Sequence, residues 1–438
     1  MPTRLSWGRF PNHPQAVHSV TWLDLAPTQW RALRSMQGTT LAFGNGRSYG
    51  DSCLAQSGHV LGMSRLDRFI DADWEHGIVH AEPGITLEQI LELAIPRGWI
   101  LPVMPGTKYA TVGGAIANDV HGKNHHVRGT FGRHVRSLRL ARSDARVMEC
   151  SPSLNPEMFA ATIGGLGLTG LIVRAEIQLM PITSSLIDVN KVCFASLDGF
   201  FEASEALDAS HEYNVAWIDC LGRGPSLGRG FCVAGNHAPN GLLEFDRRKK
   251  RKISFTPPIS PINSLTLRAF NALYYRRQCS RAVKSSVGYD RYFFPLDGLL
   301  DWNRLYGAAG FQQYQCVFPA ANANEALHAA LSRISASGTG SFLAVLKRCG
   351  DLRSPGLLSF PLAGTSLALD FPQRDAANQR LFSSLDSIVR EAGGRIYPAK
   401  DAHMSGADFR RGYPRWIELE ALRDPAMMSR FWERVMRP

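Results

Sequence analysis

Apolar positions change period several times along this chain, and each change predicts an element. Residues 39–43 form a short β-prone run ending at a glycine, and residues 77–81 form another, closed by Pro83-Gly84. Residues 86–95 carry Leu87, Ile90, Leu91 and Ala94 at helical spacing, and the pattern stops at Pro96 and Gly98. Residues 135–141 alternate apolar with basic side chains, as a half-exposed strand does, and residues 171–179 alternate again. A short helix is expected at 157–162. Further on, strands are expected at 215–220, 314–319, 342–346 and 366–371, and helices at 323–336 and 377–392, the last closed by Gly393-Gly394. The pattern predicts an α+β chain whose first part ends near 185. A strand-and-helix layer follows, interrupted by a long, mobile insertion near 240–290.

Composition narrows the class. With 438 residues the chain is expected to form two or three domains, or one domain with a large insertion, and its composition, 45% hydrophobic and 20% charged, is that of an enzyme. No apolar run reaches the roughly 18 residues of a transmembrane helix, and residues 1–17 lack the apolar core of a signal peptide. The eight cysteines are scattered without a CxxC pair, so they are expected to be reduced thiols in a cytoplasmic protein. The net charge is +11, and one block concentrates it: residues 247–252, Arg-Arg-Lys-Lys-Arg-Lys. The block precedes an apolar, proline-containing stretch. That pairing suits an anionic membrane surface better than nucleic acid, although a solvated loop explains it as simply.

Four segments carry candidate chemistry. GNGRSYGD at 44–51 follows a strand; its glycines free backbone amides for an anion nest, and Arg47, Ser48 and Asp51 add polar contacts. It is neither a GxGxxG fingerprint nor a P-loop, and a tight surface turn would look similar. Residues 105–135 gather Gly106, Gly113, Gly114, Gly122, Gly129 and Gly132 among histidines and lysines. Glycine in that density costs chain entropy and implies close backbone approach to a ligand rather than a core element. Thr111, Val112, Gly113 and Gly114 can present amides to a pyrophosphate, with Asp119, His121 and Lys123 beside them. The histidine spacing matches no metal-ligand set, so no metal is expected. GGLGLTGLI at 164–172 is a glycine-rich turn running into a strand, and RIYPAKD at 395–401 brings Tyr397 and Lys400 together; either alone reads equally well as ordinary surface structure.

In combination these segments resemble one family. GNGRSYGD at 44–51, PGTKYATVGGAIANDVHGKNHH at 105–126, GGLGLTGLI at 164–172, WNRLYGAAGFQQYQ at 302–315 and YPAKD at 397–401 occur in the order seen in FAD-binding oxidoreductases of the vanillyl-alcohol-oxidase type. Within that family the chain is similar to the branch that oxidises polyprenylphosphoryl ribose. The resemblance implies a two-domain α+β fold: an FAD-binding domain from 1–185 and 395–438, and an antiparallel-sheet substrate domain at 186–394 with a basic insertion near 240–290.

The resemblance also implies roles. Ala42, Phe43, Gly44, Asn45, Gly46, Arg47, Ser48, Tyr49, Gly50, Asp51 and Ser52 would wrap the FAD pyrophosphate. Gly106, Thr111, Val112, Gly113 and Gly114 would continue the cradle. Asn118, Asp119, Val120 and His121 would run beside the flavin, Ile172 would hold the adenine end, and Tyr397 would contact the isoalloxazine. Relatives that bind FAD covalently use a histidine where this chain has Arg47, so noncovalent FAD is expected. Lys400 and His121 would be the catalytic pair, with Lys123, Gln313, Gln315 and Lys347 in the substrate pocket. A reactive pocket cysteine of mycobacterial members falls at Ala368 here. The implied reaction is oxidation of the 2′-hydroxyl of a polyprenylphosphoryl-β-D-ribose to a ketone, the first half of epimerisation to an arabinose donor. A short-chain NAD(P)H-dependent reductase would be the partner, and the setting would be cytoplasmic, peripheral to the inner face of the membrane. An aldonolactone or alditol oxidase, or a noncatalytic flavoprotein, are the competing readings.

Overall fold

The structure is a computed structural model that describes residues 3–239, 241–246, 248–280 and 284–437. Arg247 of the basic block lies outside the described residues. The fold is α+β with two domains. Near the N-terminus a four-stranded sheet has the order Thr3–Arg4, Gln15–Ser19, His59–Gly62, Leu41–Phe43, and its last three strands run parallel. Beside it lies a five-stranded antiparallel sheet ordered Phe69–Asp73, Ile78–Ala81, Leu171–Gln178, Val135–Ala141, Val147–Cys150. The helix Leu87–Ala94 covers part of this region. Thr86 and Gln89 cap its start reciprocally, and Leu87, Ile90, Leu91 and Ala94 are all buried. Full burial of each large apolar side chain contributes about 1.5–3 kcal/mol, so the predicted stripe fixes which face turns inward.

The remaining large element is an eight-stranded antiparallel sheet. Its order is Lys284–Gly288, Leu186–Phe194, Gly230–His237, Tyr213–Ile218, Ala344–Cys349, Gly364–Pro372, Phe311–Pro319, Arg395–Ile396. Helices Leu197–Asp208, Ala323–Ser337 and Asp375–Glu391 pack on it through buried apolar stripes. The chain's last part then returns to its first. Thr40 bridges to Met427, Ala55 bridges to Ser429, and the Arg434 guanidinium pairs with Asp51.

Three expectations need correction. Residues 105–135 are not devoid of core: Val112, Ala115, Ile116 and Phe131 are fully buried, the first three on a short helix Val112–Ala117. The 240–290 region is not a featureless insertion, for it contains the 16-residue helix Ser264–Cys279 with an Asn263–Thr266 capping box. Nor are all eight cysteines reduced. Cys193 and Cys279 form a disulfide that ties the end of this helix to the large sheet, and the other six are free. The ground for expecting a reducing compartment is thereby removed. Among the described residues no helix is long and apolar enough to cross a membrane.

Candidate active site

A cavity of about 990 Å³ opens between the two smaller sheets and one face of the large sheet. Period-two alternation selects which side chains line it. Gln313 and Gln315, Val345 and Lys347, and Ser366, Ala368 and Asp370 all face it from three adjacent strands. Cross-strand register sets Gln313 opposite Asp370, Gln315 opposite Ala368 and Lys347 opposite Ser366. Further along the same face the lining turns largely apolar, with Val189, Val215, Trp217, Phe231, Val233 and Val287 around Lys191.

The first glycine loop forms the opposite wall. Ala42, Phe43, Gly44, Asn45, Gly46, Arg47, Ser48, Tyr49 and Ser52 line the cavity. Among the described residues the amides of residues 44–48 meet no protein acceptor, whereas the Tyr49 amide donates to the Ala399 carbonyl at 3.0 Å. Successive unpaired amides at a loop with a positive-φ glycine, Gly46, make an anion nest. Arg47 lies over Trp7, with its guanidinium carbon 4.3 Å from the ring centroid, and its Nε is buried without a partner. Burial lowers its pKa.

Gly106, Thr111, Gly113, Gly114, Asn118, Val120 and His121 also line the cavity, as do Ile172 and Tyr397. Four residues of the sequence-derived set stand behind the wall instead: Gly50, Asp51, Val112 and Asp119 do not line it. Asp51 is held by Arg434 at 2.8 and 2.9 Å. Asp119 is fully buried and accepts from the Gly132 amide at 2.8 Å and from the Ser354 and Ser359 hydroxyls at 2.5 and 2.6 Å. It ties the glycine-rich stretch to the 354–359 loop. The amides of Val112, Gly113 and Gly114 are already spent on Ile85 O, Pro83 O and Thr111 Oγ1. This segment therefore shapes the wall, and the free amides belong to the 44–48 loop.

The observed donors fit an FAD. The unpaired 44–48 amides and the buried, partnerless Arg47 Nε and Ser52 Oγ await an acceptor-rich ligand. At Gly106 an added Cβ would meet no protein atom within 4 Å, so the backbone there borders open space.

At the other side of the cavity, three lysines converge. Lys400 Nζ sits 3.7 Å from the Tyr49 ring centroid, and among the described residues no carboxylate lies within ion-pair distance. Burial pulls its pKa down, with Asp370 acting against the shift. Lys347 Nζ donates to the Gly122 carbonyl at 2.9 Å, and burial lowers its pKa too. Lys123 donates to the Tyr292 carbonyl, and burial brings it to about 7. His121 lies beside the stacked Tyr397–Phe360 pair, 5.4 Å from each by ring centroid, and its Nε2 is 3.2 Å from Gln315 Nε2. Burial drives its pKa well down, and the charges of Lys347, His125 and Lys400 push the same way. His121 is therefore a neutral imidazole, and its Nδ1 is buried without a partner. His125 and His126 point elsewhere: His125 is buried, and His126 Nε2 meets the His211 carbonyl at 3.1 Å.

The sequence-derived set omitted Asp370 and Trp7. Asp370 had a visible signal, a lone carboxylate inside the apolar run TSLALDFP. Trp7 had none, since its place over Arg47 depends on a contact 40 residues away in sequence.

Comparison with known proteins gives the following. A family model described as an FAD binding domain matches residues 16–151. A decaprenylphosphoryl-β-D-ribose oxidase of Mycolicibacterium smegmatis is 36% identical over 96% of this chain and 94% of its own length. An uncharacterized protein of Streptomyces coelicolor is 32% identical over 78% of this chain and 96% of its own length. An L-gulonolactone oxidase of Mus musculus is 29% identical over only 40% of this chain and 41% of its own length.

Proposed function

The chain belongs to the FAD-dependent oxidoreductases of the vanillyl-alcohol-oxidase type, and on that premise we propose that it oxidises the 2′-hydroxyl of a polyprenylphosphoryl-β-D-ribose to a ketone. One observation carries the reading. A single sheet face presents a polar cluster of Gln313, Gln315, Lys347 and Asp370 and then a largely apolar floor of Val189, Val215, Val233 and Val287, in which the one cation, Lys191, is held by Gln278. A phosphorylated sugar suits the first part, and a prenyl chain suits the second.

Bound FAD supplies a two-electron acceptor for the hydrogen on the alcohol carbon. The chain's residues supply everything else. Lys347 and Lys123 donate hydrogen bonds to the phosphoryl group, whose negative charge favours their protonated forms against burial, and Gln313 and Gln315 orient the sugar. Lys400 takes the hydroxyl proton at Nζ: burial has lowered its pKa, which suits a base working near neutral pH. His121 stays neutral and offers a ring nitrogen as a hydrogen-bonding group. Tyr397, stacked on Phe360 at 4.5 Å and donating to the Asn118 carbonyl at 3.0 Å, stiffens the wall beside the ring site. Arg47 offers no imidazole for a covalent bond, so acid precipitation releases the flavin into the supernatant.

The ketone is consumed by a reduction, which assigns a short-chain NAD(P)H-dependent reductase as partner. The lipid-linked substrate is met at an anionic membrane surface. Leu265 and Leu273 stand 78% and 67% exposed on the helix Ser264–Cys279, with exposed Phe270, Arg268, Arg276 and Arg277 on the same helix. Leu267 of the same helix is buried in the core instead. Within the basic block Lys250 is already paired with Glu88 at 2.7 Å. The free cations, at about 1 kcal/mol each near an anionic surface, are therefore fewer than the sequence suggests.

Anaerobic mixing of the yellow protein with a polyprenylphosphoryl ribose is the direct test. Bleaching of the flavin band, lost in Lys400→Ala, supports the reading; bleaching by an aldonolactone and none by the lipid sugar defeats it. Co-sedimentation with anionic liposomes tests the surface separately: Leu265→Ser/Leu273→Ser binding as well as the wild type would remove the membrane face.

A further inference from the structure

Asp370 is a carboxylate on an otherwise apolar strand, facing the cavity. Its Oδ1 accepts from Gln313 Nε2 at 2.6 Å, the residue directly opposite it in register, and its amide donates to Ser341 Oγ at 3.1 Å. It is 1% exposed. An ionised carboxylate that deep needs a positive partner or it takes up a proton. The positive group acting on it across the cavity is Lys400, and burial has pushed the Asp370 pKa up against that pull.

Lys400 has the mirror-image problem. Its ammonium has no hydrogen-bond acceptor among the described residues, only the Tyr49 ring face. The other titratable groups around this pair are Tyr49 from the first loop, Tyr306, whose pKa is raised by burial and then by Asp370, and neutral His121. None of these three supplies a negative charge near neutral pH; beyond Tyr49 the cavity wall carries the Asp297 carboxylate and the Arg47 guanidinium, both acting on Tyr49.

We propose that Asp370 is a positioning residue that acts through Lys400, stabilising the ammonium that forms when Lys400 accepts the substrate's hydroxyl proton. The bookkeeping of the step is one proton: the O–H bond breaks, an Nζ–H bond forms, and the charge that appears on Nζ is stabilised across the shared cavity, beyond ion-pair distance, by the carboxylate that Gln313 holds. A histidine base backed by a buried aspartate uses a direct hydrogen bond; here the carboxylate acts on the lysine through space, across the cavity. This role rests on the reading of Lys400 as the group facing the substrate hydroxyl.

The test reads the lysine itself. Competitive acetylation across a pH series, followed by mass spectrometry of the peptide carrying Lys400, gives its titration midpoint without substrate. In Asp370→Asn the midpoint falls by on the order of one pH unit, and the rising limb of the flavin-bleaching rate moves to lower pH with it. Asp370→Glu restores both. Gln313→Ala, which leaves the carboxylate without its donor, moves the midpoint in the same direction by less, and serves should Asp370→Asn fail to fold. An unmoved midpoint in folded Asp370→Asn overturns the inference. A moved midpoint in a protein that no lipid-linked ribose bleaches would uphold it and reject the substrate reading alone.

Discussion

Gly50 and Asp401 meet backbone to backbone: a Cβ on Gly50 would overlap the Asp401 carbonyl oxygen. The Asp51 amide donates to that oxygen at 3.3 Å, so the first glycine loop and the segment bearing Lys400 are one unit. Gly50→Ala cannot be absorbed by a side-chain rotation, and overpacking against backbone costs about 3 kcal/mol. The variant is expected to melt at a lower temperature with or without flavin. Gly106→Ala makes the contrast, since its Cβ meets no protein atom within 4 Å. It should melt normally without flavin and retain less FAD. Thermal melts paired with flavin-to-protein ratios check both; equal behaviour of the two variants would contradict the placement.

Arg434 holds this unit from the C-terminal helix, reaching Asp51 at 2.8 Å and Asp401 at 2.8 Å. Arg434→Met leaves buried Asp51 without its cation and Asp401 with His403 alone, a loss of about 3–5 kcal/mol, to be read in urea titrations. Burial raises the Asp401 pKa, but Arg434 and His403 outweigh it and hold the carboxyl well below its usual range. Its stabilisation is thus present above about pH 4 and lost as the pH falls below that. Wild type and Arg434→Met should therefore converge in stability on acidification.

Much of this fold was legible in the chain, and the exceptions share a cause. The strand at Val135–Ala141 and the helices at Ala323–Ser337 and Asp375–Glu391 follow local periodicity, because each buries one face against one layer. Leu186–Phe194 and Gly230–His237 went unmarked: polar residues interrupt the pattern on both faces, Lys191 on the cavity face and Asn190 and Asn236 on the other. The proline-rich basic run hid the Asn263 cap of the helix that follows it. In the site, residue types pointed to the right segments, yet they could not separate lining from support. Asp51 and Asp119 look like ligand contacts in the sequence; Arg434 and the Ser354–Ser359 pair, hundreds of residues away, claim them. Asp370 gains its meaning only from the register that sets it opposite Gln313.

His403 gives a second pH signature, on the alkaline side. Burial lowers its pKa, but Asp401 at 3.0 Å and Asp386 at 3.1 Å more than compensate and raise it to about 10. A folded-state pKa above the unfolded value, about 6.5, means the stabilisation is complete below pH 6.5. It is lost as the pH rises toward 10. His403→Gln should be less stable at pH 6 by on the order of 3 kcal/mol, with the gap closing by pH 10. A gap that does not change with pH would show that the imidazolium is not what stabilises this corner.

The Cys193–Cys279 disulfide makes a prediction of both count and function. Alkylation of the denatured, unreduced protein should modify six cysteines, and prior reduction should raise that to eight. The bridge closes a loop with a sequence separation of 86, and its removal by Cys279→Ser should cost about 2–4 kcal/mol. Function should change selectively. Tyr274 and Gln278 of the tethered helix line the apolar end of the cavity, and Gln278 accepts from Lys191 through its backbone and side-chain oxygens at 2.8 and 3.1 Å. Lys400 and His121 stand on other elements. Freeing the helix end therefore loosens the prenyl side of the pocket and leaves the proton-transfer side intact. KM for the lipid-linked sugar should rise several-fold with kcat little changed. A fall in kcat at constant KM would mean that the helix supports the reacting end instead.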